Sequence, residues 1–346
     1  MKYHYNQKEI FPIAEIYHDI IPYLSKIGMK DFYMDKEKCV YAWKTATKIL
    51  KEYFGDLFPM RKPAPAPISY GHLISIGAPV TIPDDGEPNI SPFAGSIEEA
   101  IEFLKEKKGK DFSKNEMFQH YLDVWNHLKE VFPEDSIPFT GFGDEGPVTS
   151  AVLMRGQDFF SDLYDEPEKC GEFLKLLTES IVDFVKTYRK INKQPEIQES
   201  GYIADDFASL ISPGMWDEFV VPYWNQQYES LCDGKTRFVH VENLYPDHLK
   251  YLKKAGITHY QPSVSEKITL ENVKENLDPD ITFDWLLYSF RITEMTDRQI
   301  EDWVDKAVNA GVSIIRTQLG AYTCQKNKLD RIIKFIEVFE KYSDNG

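Results

Sequence analysis

The chain has 346 residues, with 40 Lys and Arg against 56 Asp and Glu, giving a formal net charge of −16. That length buries a large core without covalent staples, and it allows either two ordinary domains or one α/β barrel. A composition of 42% hydrophobic and 28% charged residues argues against a disordered chain, and the acidic balance argues against a broad nucleic-acid footprint or a general affinity for anionic membrane.

Cys39, Cys170, Cys232 and Cys324 are too scattered for a CxxC clip or a disulfide scaffold, so a reducing cytoplasm is the expected compartment. The N-terminus has no apolar signal core, and no run approaches the ~18 apolar residues of a membrane span. Aromatic residues make up 14%. They serve either as ordinary filling or as the wall of an apolar pocket.

Residues 1–60 read as a helical extension, with Val40, Trp43, Ala46, Leu50 and Tyr53 at helix spacing. Pro63, Pro65 and Pro67 then break the pattern. ISIGAPVTIP is strand-like, and the acidic turn with Asp84, Asp85 and Glu87 reads as solvated surface. Ser96 with Glu99, and Ser113 with Glu116, predict two capping boxes. From about residue 137 short apolar runs alternate with helices. IPFTGF, IQESGYIA, TRFVHV, ITHYQPS, DITFDWLL and SIIRTQL are the strand candidates of this part. The helices between them carry recognisable ends, such as Gly256 after HLKYLKKAG and the Thr296–Gln299 cap.

This alternation predicts a parallel sheet with helical crossovers. No G-x-G-x-x-G or G-x-x-x-x-G-K-[ST] supports an open nucleotide-binding sheet. The expected architecture is therefore a (β/α)₈ barrel over 61–346 behind the extension. In such barrels chemistry sits at the C-terminal ends of the strands.

At those ends His240 and Glu242 stand two apart on a strand, so both face one side and Val239 and Val241 the other. Imidazole plus carboxylate is a zinc-competent pair, or a structural hydrogen-bonded pair. Cys324 follows the last strand. It is a third ligand or a buried free cysteine. Glu199, Asp205 and Asp206 lie in the IQESGYIADD stretch as candidates for acid/base work or substrate orientation, with capping as the alternative for the two aspartates. Gly146-Pro147 after GFGDE marks a strand end whose small residues allow close backbone approach to a ligand, or simply suit a tight loop.

GPVTSAVLMRG with FFSDLYDEPEKCGEFLKLLTESIVDF, then ADDFASLISPGMWDEFVVPYWNQ, then HVEN…YPDHLKYLKKAGITHYQP resemble consecutive blocks of the uroporphyrinogen decarboxylase superfamily. PISYGHLISIGAPVTIPDDGEPN is similar to a stretch of its corrinoid-linked methyltransferases. The resemblance spans roughly residues 60–335 and implies a (β/α)₈ barrel. It implies either porphyrinogen decarboxylation or methyl transfer to or from a corrinoid protein, generally with zinc. The decarboxylases bind a polyanion with N-terminal arginines, whereas Arg61 is the one arginine among the first 150 residues here. In the thiol methyltransferases the ligands are His, Cys and a later Cys. By that resemblance His240 matches the His, Glu242 stands where the first Cys would be, and Cys324 falls about three residues late. Glu in place of Cys makes a harder zinc that suits an oxygen ligand. The expectation is a zinc-dependent transferase. It moves a methyl group from a methylated, methoxy-aromatic substrate to the Co(I) of a corrinoid partner protein.

Overall fold

The computed structural model describes residues 3–5, 8–55, 60–263, 265–325 and 329–342. Its centre is a curled sheet of strands β1 (Tyr3–Tyr5), β2 (Lys8–Ile16), β5 (Gln198–Ala204), β6 (Cys232–His240), β7 (His259–Gln261), β8 (Thr282–Leu286) and β9 (Ile314–Leu319). The order is β1-β2-β9-β8-β7-β6-β5. All pairs from β2 to β5 are parallel, and β1 alone runs antiparallel. A separate ribbon joins β3 (Val80–Thr81) to β4 (Asn89–Ile90).

The result is a half-barrel of six parallel strands. The continuous eight-stranded ladder expected from the sequence is not formed among the described residues. Two extended segments replace the missing strands, paired by one bridge between Ile68 and Phe142. The second of them reaches β5 through Gly146, whose N–H donates to the Ala204 carbonyl at 2.5 Å. The Pro-rich stretch before Ile68 explains why no longer ladder forms there, because proline has no N–H to give a neighbour.

The helical extension over 1–60 is also corrected. Helix Lys36–Phe54 is present, with Val40, Trp43, Ala46 and Leu50 buried, but Tyr53 is exposed. Before it, β2 belongs to the sheet. Phe11 N–H donates to the Ser313 carbonyl of the chain entering β9. N–H groups alternate along a strand, so Pro12 turns its missing donor away from β9, past the stretch 8–10 that pairs with β1.

Two further elements differ from expectation. The first three residues of ISIGAP, Ile74, Ser75 and Ile76, close helix Gly71–Ile76 rather than a strand, and only Val80–Thr81 pairs. Helix Glu116–Val131 is capped by Asn115, not by Ser113; its side-chain oxygen accepts from Met117 N and Phe118 N. The Ser96 cap and the Thr296–Gln299 capping box form as expected.

Helices pack on the outer face. Phe173, Leu177, Ile181 and Phe184 of helix Pro167–Ile191 are fully buried, as are Trp216 and Trp224 beside β5 and β6. Within β5 and β6 the inner and outer sides separate by alternation: Ile203 and Val239 are buried against helices, while Tyr202 and Phe238 are open to the lumen.

The β5–β6 ladder carries a register shift near Ser200, and Gly234 sits against it. A Cβ at Gly234 would lie 1.8 Å from the Glu199 carbonyl oxygen. Gly234→Ala is therefore expected to cost about 1–3 kcal/mol of stability. A urea midpoint equal to that of the wild type would contradict this close approach.

Among the described residues no helix is long and apolar enough to cross a membrane.

Candidate functional site

The open side of the half-barrel holds a cavity of about 730 Å³ lined from β2 and from β5 through β9. A second lobe of about 730 Å³ adjoins it, lined by His18, Arg61, Ser69, Tyr70 and Glu87 among others. Glu15, Tyr17, Tyr202 and Gln318 line both lobes, so the two form one mouth.

His240 ends β6, and Gln261 is its registered partner at the end of β7. The His240 Nδ1 and Gln261 Oε1 atoms are hydrogen-bond partners. With Gln261 presenting its amide oxygen, Nδ1 is the donor of that bond, and Nε2 is turned toward Asp206 and Glu242. Nε2 lies 3.5 Å from Asp206 Oδ1 and 4.0 Å from Glu242 Oε1. Both separations exceed a usual N–H···O bond. Asp206 Oδ1 also accepts from the Glu242 backbone N–H at 2.9 Å, which ties the end of β5 to the turn after β6.

These atoms bear on the expected zinc ligands. Among the described residues no group of three or more His, Cys, Asp or Glu side chains is placed so that it could hold a metal ion. His240, Glu242 and Asp206 are an open arrangement of one nitrogen and two oxygen donors. Two ligands of one tetrahedral zinc stand roughly 3.3 Å apart when each bond is ~2.0–2.1 Å. The His240–Asp206 separation is close to that value, and a carboxylate rotamer change would bring Glu242 nearer. One imidazole and two carboxylates are donor types that zinc accepts, but they are not gathered around one point here.

Cys324 does not join them. It lies in helix Ala321–Gln325 after β9, three strands along the sheet from β6. At ~4.8 Å per strand that is roughly 14 Å along the sheet. Its side chain packs against the apolar core, and burial, with the charge of Asp19, pushes its thiol up to about 11. The three-ligand set of His240, Glu242 and Cys324 is therefore corrected: Cys324 stands apart, and Asp206 is the residue found beside His240.

Two other expected residues are corrected as well. Glu199 is exposed near the start of β5, at the end of the strand away from the mouth. Asp205 is fully buried, and its carboxylate accepts from Thr149 N at 2.6 Å, Val148 N at 3.2 Å and Trp224 Nε1 at 2.7 Å. It caps helix Pro147–Arg155 from a distant strand end, so capping is its role. Glu87 of the acidic turn is no mere surface group. It pairs with His18 at 3.3 Å and lines the second lobe.

Sequence reasoning missed Gln261, Glu145, Asp19 and the Arg316 network. Arg316 sits between Asp284 at 2.7 Å and Glu15 at 3.1 Å. Burial opposes its charge, but hydrogen bonds from its guanidinium to Asp284, and the charges of Asp284 and Glu15, win and raise its pKa. The alternating polar residues of SIIRTQL were a signal for a lumen-facing row of Arg316 and Gln318.

Glu145 lies in the GFGDEG loop behind Asp206. Its Oε2 is buried and lacks a hydrogen-bond partner. Burial, then Asp206, Asp205 and Asp144, push its pKa up to about 9, against a hydrogen bond with Ser69. Burial likewise raises Asp144 to about 7 and Asp205 to about 6. Such acids keep protons in the folded chain that the unfolded chain releases near pH 4. Stability is therefore full below pH ~4 and falls as pH rises through the folded pKa values. Glu145→Gln is expected to flatten the loss between pH 6 and pH 9 in thermal melts. An unchanged slope would contradict the assignment.

The profile of the uroporphyrinogen decarboxylase (URO-D) family matches residues 71–283. The chain belongs to the URO-D family. This URO-D member also resembles a solved methyltransferase from Methanosarcina mazei, with TM-score 0.67 at 15% identity over 96% of this chain and 94% of that chain. At that identity the likeness speaks for the fold. A putative vitamin-B12 independent methionine synthase from Listeria monocytogenes matches with TM-score 0.42 at 13% identity, over 65% of this chain and 70% of that one. No curated protein sequence matches the chain.

Proposed function

We propose that this URO-D member is a methyltransferase that takes a methyl group from a small methylated compound bound in the half-barrel mouth. The acceptor in this reading is a corrinoid on a partner protein, whose Co(I) form supplies the nucleophile. The observation that carries the proposal is the convergence of His240, Glu242 and Asp206, backed by Gln261, at the open strand ends.

Decarboxylation of a porphyrinogen fits less well. A polycarboxylate needs cationic clamps. Arg316 is already shared between Asp284 and Glu15, and Arg61 is the other arginine lining the mouth.

Zinc, held by His240, Glu242 and Asp206, would supply a Lewis acid at the open strand ends. The chain's own part is positional and electrostatic. Gln261 fixes the imidazole tautomer and ring plane. The Glu242 N–H holds Asp206 in place. Glu145, kept protonated by burial, stands behind Asp206 and limits the negative charge gathered there. Lumen aromatics keep the substrate out of bulk water.

Elemental analysis tests the metal part. About one zinc per chain is expected, lost in His240→Ala, Glu242→Ala and Asp206→Ala but retained in Cys324→Ser. Zinc that is lost in Cys324→Ser, or no zinc in protein purified without chelators, would contradict this ligand set.

A further inference from the structure

The rim of the mouth combines exposed aromatic rings with a carboxylate, Asp19, that has one oxygen without a hydrogen-bond partner. Tyr17, Tyr202, Phe238, Phe290 and Tyr322 are all more than a third exposed, and all line this one cavity. On one side the Tyr288 and Phe290 rings stack at 5.1 Å, and Phe290 meets Tyr322 edge-on at 6.2 Å. Asp19 stands in the same wall. Its Oδ2 accepts from Ala321 N at 3.2 Å, while its buried Oδ1 has no hydrogen-bond partner.

Charge points the same way. Glu15, Asp19, Glu242 and Asp284 line the main lobe, and among the described residues Arg316 is the one Lys or Arg that does. That guanidinium is taken up by Asp284 and Glu15. The next arginine, Arg61, lines the adjoining lobe. A neutral methoxyarene would stack on the rings but leave Asp19 Oδ1 unanswered. A methylated ammonium satisfies both features, since its diffuse charge sits well on ring faces and beside a carboxylate.

We propose, on top of the methyltransferase reading above, that the substrate class is a small methylated ammonium cation, held by the Tyr288–Phe290–Tyr322 corner and Asp19. The leaving group then balances without a proton. The C–N bond breaks with its electron pair left on nitrogen, and the amine departs neutral. The pair for the new bond to the methyl carbon comes from the acceptor, the Co(I) corrinoid of the proposed function.

The test is calorimetric binding to the full-length protein, with no acceptor present. The probes are choline, its uncharged isostere 3,3-dimethylbutan-1-ol, and methoxyphenol. Choline is expected to bind at least about tenfold tighter than its isostere. Asp19→Asn, which keeps an acceptor for Ala321 N–H, and Tyr288→Leu should each weaken choline by roughly tenfold and leave the isostere unchanged. Equal binding of choline and isostere, or tighter binding of methoxyphenol, overturns the proposal. So does choline binding that neither variant alters. Methyl transfer to cob(I)alamin is assayed separately. Demethylation of methoxyphenol without choline binding would defeat this substrate class and leave the methyltransferase reading. Choline binding without transfer from any probe would support the site and count against that reading.

Discussion

Replacing His240 with alanine is expected to lower methyl transfer by roughly three orders of magnitude while the protein stays folded. The imidazole is half-buried on the lumen side, so its loss removes no core packing. Two carboxylates face its Nε2, and Gln261 fixes its Nδ1. Loss of a group that contacts the reacting centre or its metal removes ~10²–10⁴-fold in rate. Gln261→Leu should cost less, about 10–100-fold, because it acts through the histidine. Steady-state transfer rates and circular dichroism check both variants together. A His240→Ala protein that keeps more than about a tenth of the wild-type rate would sink the assignment.

Asp205 and Asp206 are neighbours in sequence and opposites in consequence. Asp205→Ala is expected to cost about 3–5 kcal/mol, because it strands three buried donors, Val148 N, Thr149 N and Trp224 Nε1. Asp206 is part-exposed toward His240, so Asp206→Ala should cost under about 1 kcal/mol of stability yet remove most activity. Urea denaturation and transfer assays on the two variants separate these roles. Similar stability losses in both would contradict the division.

The contrast shows what a sequence carries and what it does not. Strand alternation is local, so His240 and Glu242 were readable as one face. The Thr296–Gln299 box and Gly256 marked helix ends by chemistry contained within a few residues. ISIGAP was not readable, because a six-residue apolar run suits a buried helix as well as a strand. Pro12 masked β2, and only the order of the sheet reveals that its missing N–H is turned away from β9. Asp205 caps a helix that begins 58 residues earlier, at Pro147, a partnership no local pattern encodes. Cys324 followed the right strand, but helix Ala321–Gln325 turns the thiol into the core. Gln261 gave no signal, since an amide becomes meaningful only once register sets it beside His240.

The most direct test of the account is methyl transfer to cob(I)alamin by the purified protein, beside His240→Ala. The probes are a panel of methylammonium compounds and methoxyarenes, with uroporphyrinogen as the competing substrate. The account predicts protein-dependent methylcobalamin from at least one methylated compound, lost in His240→Ala, and no carbon dioxide from uroporphyrinogen. Equal rates in wild type and His240→Ala, or decarboxylation of uroporphyrinogen, would contradict it.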